Sequence, residues 1–138
     1  MSDYLALLTE MYDRLSNIAS SCRITRDDDY NAQTLYDAIN SVDILFNYLS
    51  FKIVSLQTGN NVLLMPDDHV SRVEDPILRY LYEELRYLNH EIGIADEPFY
   101  KKYLLSFDIT MALVTISETT KSLAHWLRYQ LLSLQLGD

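Results

Sequence analysis

Leu35, Ile39, Val42, Phe46, Leu49, Ile53 and Leu56 recur at spacings of four, three, four, three, four and three residues. A mean period of 3.5 residues puts them in one apolar stripe down a helix, the pattern of a helical bundle or coiled-coil seam. Three other stretches repeat the rhythm. Leu5, Leu8, Tyr12, Leu15, Ala19 and Cys22 line a first helix over about Asp3 to Cys22, with Glu10, Asp13, Arg14 and Asn17 off the stripe. Leu78, Leu81, Leu85, Leu88 and Ile92 line a third. Leu105, Ile109, Ala112, Ile116, Thr119, Leu123 and Trp126 line a fourth.

The punctuation between stripes agrees with this division. Ser2 or Asp3 can cap the first helix, and a polar connection runs from Arg23 to Asp28. Asp27, Asp28 and Asp29 then fall where the second helix, Asp29 to Gln57, meets the positive end of its own dipole. Thr58-Gly59-Asn60-Asn61 stops that helix, Gly59 being suited to a left-handed cap. Thr58 to Glu74 is long for a bundle connection, and its Val62-Leu63-Leu64-Met65 is apolar enough to dock on the bundle or a partner. Asp75-Pro76 opens the third helix as cap and first helical residue, and Gly93 ends it. Glu97-Pro98 opens the fourth. From Phe99 to Leu136 it would span about 57 Å, against about 33 Å for the second stripe, at 1.5 Å per residue. The polar run Ser117 to Ser122 is therefore a candidate break, with Thr119 or Thr120 capping a fifth helix.

Two of these helices carry more apolar surface than one seam needs. Ile44, Tyr48 and Phe51 lie outside the main stripe of the second. Tyr100, Tyr103, Leu104, Phe107, Met111 and Val114 lie outside that of the fourth. A second apolar face has to be covered, either by its counterpart, by the Val62–Met65 loop, or by another chain. Eleven tyrosines are hard to bury in a domain this small, and a wet interface rim supplies partners for their hydroxyls. Ile44, Tyr48, Phe51, Tyr100, Tyr103, Phe107 and Met111 are accordingly the expected homodimer or partner interface.

Composition narrows the function classes. In 138 residues, 49% are apolar, with three Gly and three Pro, too apolar for disorder and too poor in turn formers for a β-sandwich. The net charge of −9, with Lys and Arg totalling 11 and scattered, disfavours direct nucleic-acid binding and anionic membrane surfaces. The lone Cys22 excludes an intramolecular disulfide, and its place on the first stripe suits a buried small hydrophobe. No basic-then-apolar leader starts the chain and no stretch is apolar enough to span a bilayer, so a cytoplasmic location is expected.

No constellation of catalytic residues or ligands stands out. The di-iron bundles need Glu-x-x-His on two helices, and here Glu83 and Glu118 each precede a histidine (His90, His125) by seven residues. Asp67-Asp68-His69 groups ligand types, but adjacent side chains splay apart. Asp27-Asp28-Asp29 fails the calcium-loop pattern, because Ala32 stands where glycine is required. There is no nucleophile elbow and no phosphate-cradling glycine loop. Arg86 and His90 resemble in type the paired Arg and His of the all-helical HEPN ribonucleases, with three residues between them where that family has four to six.

The sequence thus predicts an all-α fold, an antiparallel four-helix or five-helix bundle in one domain (1–138), with a long ordered loop between helices 2 and 3. It predicts no enzyme and no cofactor or metal. The expected function is protein–protein interaction, as a homodimeric adaptor or an inhibitor of a basic partner such as a nucleic-acid-handling or defence protein. A secretion or assembly chaperone that binds an amphipathic client helix, and a HEPN-like RNase, are the alternatives.

Overall fold

The computed structural model describes residues 3–22, 32–58, 75–92 and 106–136. Four helices account for them: α1 (Asp3–Ser21), α2 (Ala32–Thr58), α3 (Pro76–Glu91) and α4 (Ser106–Gln135). No strand occurs among the described residues. The acidic run at 27–29, the cap at Gly59, the Val62–Met65 loop, His69, and the opening of the fourth helix at 97–105 lie outside the described residues.

The helices run up and down. α1 and α3 start at the same end, where the Tyr4 hydroxyl donates to Asp75 Oδ2 at 2.9 Å. α1 packs most closely against α4, and α2 against α3. α2 and α4 also meet across the centre, so they are the nearer diagonal of the bundle.

One end of α3 shows why its boundary falls where it does. Asp75 has φ −68° and ψ 124°, and its carboxylate accepts from the Leu78 N–H at 2.9 Å. Pro76 follows at the first helical position, where its missing N–H costs nothing. The carboxylate that caps α3 is also the one Tyr4 grips, so a single side chain starts one helix and ties it to another.

The core follows the expected stripes in the shortest helix and departs from them in the longer ones. All five expected α3 residues, Leu78, Leu81, Leu85, Leu88 and Ile92, are buried. On α2, Leu35, Ile39, Val42, Leu49 and Ile53 are buried, whereas Leu56 is 37% exposed and Leu45 joins the core unannounced. Phe46 is half-buried, stacked on Tyr82 of α3 with ring centroids 5.2 Å apart. On α1, Leu7, Met11 and Ile18 are buried while Leu5, Tyr12 and Ala19 are only partly so.

The departure is clearest on α4. Ile109, Ile116 and Leu123 are buried as expected, but Leu113, Thr120 and Leu127 take the places assigned to Ala112, Thr119 and Trp126. The seven-residue repeat itself is kept, through Ile109, Ile116 and Leu123. The second core position of each repeat lies one residue later than expected, from the first turn onward. Leu113 fills the seam in place of the smaller Ala112, and Leu127 in place of the bulky Trp126.

The expected break in this helix is not there. α4 runs unbroken from Ser106 to Gln135. The hydroxyls that suggested a cap are instead satisfied by helix carbonyls. Thr120, fully buried, donates to Ile116 O at 2.7 Å. Thr115 does the same to Met111 O, and Ser117 donates across to Ala19 O of α1 at 3.3 Å. Polar side chains that bond back to their own turn can sit inside a helix without ending it. There is therefore no fifth helix at Ser117–Ser122.

Candidate protein-binding surface

The residues expected at an interface separate into three groups. Ile44 is 54% exposed on α2 and Met111 is 48% exposed on α4. Both project away from the core, on helices that face each other across it, so the two spare faces point to opposite sides and do not cover one another. Phe51 is half-buried on the Ile44 side of α2. Tyr100 and Tyr103, and the side chain of Phe107, lie outside the described residues.

Tyr48 belongs to the bundle itself. Its hydroxyl donates to Glu10 Oε1 of α1 at 2.5 Å. Arg14 pairs with Glu10 at 2.9 Å and also lies over the Tyr48 ring, 4.3 Å from its centroid, with Lys52 at 5.5 Å. The Tyr48 hydroxyl thus finds its partner one helix away, within the same chain. Burial, then the bond to Glu10, pushes the Tyr48 phenol up to about 12. The same bond, helped by Arg14 and Lys52 and opposed by burial, holds Glu10 below the usual carboxylate range.

Beside α1, a groove of 330 Å³ runs along α4, lined by Tyr12, Ser16, Ser20, Lys121 and His125 with Cys22 at its floor. Cys22 is 1% exposed, and burial pushes its thiol up, away from the reactive thiolate. Both signs of charge line this groove, and among the described residues no three His, Cys, Asp or Glu side chains converge as metal ligands would.

The groove on the other flank of α4 has a different character. Tyr80, Glu84, Tyr87 and Glu91 follow one another at helical spacing along one edge of α3, alternating aromatic and acidic. Opposite lies Trp126, half-buried, its rings 4.4 Å from the Tyr80 ring, centroid to centroid, and tilted by 48°. Between the helices is a cleft of 250 Å³ lined by Tyr80, Glu84, Glu118, Thr119, Ser122 and Leu123. It holds two carboxylates and no cation. Neither Glu84 nor Glu118 has an ion-pair partner among the described residues, where the only two ion pairs are Arg14–Glu10 and Arg79–Glu83.

The α3 edge is open to view as a pattern in the sequence, whereas the spacing alone places Trp126 in the core seam. Leu127 takes the core position and leaves Trp126 at the shoulder, where it meets Tyr80. Arg86 and His90 are exposed on α3, one turn apart. No protein-family model matches this chain, and no curated protein or solved structure is similar to it. No helix among the described residues is long and apolar enough to cross a membrane.

Proposed function

We propose that this chain is a non-enzymatic protein-interaction module, an acidic helical bundle that acts as an adaptor or inhibitor by engaging a basic surface of another protein. The observation that carries this reading is surplus apolar surface. Four helices already close a core in which Leu8, Leu15, Val42, Leu49, Leu81, Leu85, Leu113 and Leu127 are all inaccessible to water. Ile44, Tyr87, Met111 and Tyr129 nevertheless stay about half exposed or more, on a chain of net charge −9. Exposed aromatic and apolar side chains that the fold does not require are what an interface core uses, and unpaired carboxylates around them steer a cationic partner. The second half of the proposal is self-pairing through the outward face of α2 (Ile44, Phe51) or of α4 (Met111).

The test is capture by the tagged chain from extract of its own cells at low and high salt, with chemical cross-linking in a parallel sample. One discrete basic protein, held at low salt and released by high salt, is the expected result. Capture of nothing above the level of an unrelated acidic helical protein would remove the reading. RNA cleavage by the purified chain that disappears in His90→Ala would replace it with the HEPN-like one.

A further inference from the structure

We propose that the α3/α4 groove seats an arginine-bearing segment of the protein partner, its guanidinium stacked on the Tyr80 ring, which Trp126 backs, between Glu84 and Glu118. This rests on the interaction-module reading and names the site and chemistry of contact. Aromatic faces carry the negative end of a ring quadrupole and attract a cation held over them, most strongly for tryptophan. Here such a pair is accessible, Tyr80 being 42% exposed beside the half-buried Trp126. Arg14 over Tyr48 shows the same chemistry satisfied inside the molecule, with a guanidinium 4.3 Å from a ring and paired to Glu10. In the α3/α4 cleft the Tyr80 ring, backed by Trp126, and two carboxylates are present, and no cation is among the lining residues.

Size and charge select the occupant. A cleft of 250 Å³ takes one long side chain and not a folded surface. Two carboxylates flanking the Tyr80 ring suit a planar guanidinium with its fork of N–H donors better than a compact ammonium. Glu91 and the 64%-exposed Tyr87 extend the same edge by two turns, so a second basic or apolar residue of the segment can follow along α3.

Trp126 is the only tryptophan of the chain, so its emission reports the site directly. The probe is a fluorescein-labelled amphipathic 14-residue peptide built from Leu and Arg, with a control in which every Arg is replaced by neutral citrulline. The Arg peptide should change Trp126 emission saturably, and anisotropy should give the same Kd. Glu84→Gln with Glu118→Gln should weaken binding at least 10-fold, as should citrulline, while Tyr80→Leu weakens it several-fold. Asp13→Asn, on exposed α1 surface, should change it less than 2-fold. Equal effects of Asp13→Asn and of the groove substitutions, unaltered binding of the citrulline peptide, or an unresponsive Trp126 would each overturn the proposal. Those outcomes leave the interaction-module reading standing, because that one is decided by the capture and RNA-cleavage results.

Discussion

Asp75 shows how much one side chain can carry. It accepts from the Leu78 N–H as the cap of α3 and from the Tyr4 hydroxyl of α1, both at 2.9 Å. Loss of an N-cap costs about 0.5–2 kcal/mol on its own. Asp75→Ala should therefore lower unfolding free energy by about 2 kcal/mol in urea titration, since it also orphans the Tyr4 hydroxyl. Asp75→Asn, which keeps an acceptor, should recover most of this. The Glu10–Tyr48 pair makes a prediction in pH. Glu10 is depressed below 4.5 in the folded chain, so its contribution is complete above 4.5 and is lost as pH falls through the interval beneath it. Tyr48 is raised from 10.0 to about 12, so its contribution is complete below 10 and is lost as pH rises from there to about 12. Thermal melts of wild type and Tyr48→Phe should converge at both extremes and differ most near neutrality. A constant difference across the range would mean the bond contributes nothing.

At the scale of the element, α4 is where local and tertiary preference part. Its Ser117–Ser122 run has the composition of a helix start, yet the helix passes straight through it. Lys121 tests the difference cleanly because it is exposed and its side chain packs into no core. Were Thr120 a cap, Lys121 would be a first helical residue and would accept proline. Within a continuous helix, Lys121→Pro removes a backbone bond and clashes with the preceding turn, at about 3 kcal/mol. Urea unfolding should show a loss of that order, and a loss below about 1 kcal/mol would restore the break. The short α3, two heptads long, stays in register with its expected stripe. α2 and α4, at 27 and 30 residues, do not. On α4 the departure is complete by Leu113, one turn after Ile109, and does not grow along the helix, so it reflects which side chains the neighbouring helices accept.

For the whole molecule, the open question is what covers the outward faces of α2 and α4. Ile44 and Met111 lie on opposite sides of the bundle, so a twofold dimer would use one of these faces and not both. Light scattering should give twice the monomer mass for the native chain. Of Ile44→Lys and Met111→Lys, one should return it to a monomer, with unfolding free energy within about 0.5 kcal/mol of native, as for surface substitutions generally. A native monomer, or a dimer indifferent to both changes, would end the self-pairing proposal.

The spacing of apolar residues by itself determined an all-α bundle, the number of its main helices, the cap at Asp75-Pro76 and all of the α3 core. These depend on contacts within a few residues, where helical geometry allows only one outcome. The neighbours decided the rest. Leu113, Thr120 and Leu127 are buried instead of Ala112, Thr119 and Trp126 because packing selects the face, and a periodicity defines a face only to within the width of a stripe. Tyr48 turned inward because Glu10 and Arg14, far away along the chain, stand beside it. Trp126 met Tyr80 for the same reason, and a groove between two helices exists only once both are in place.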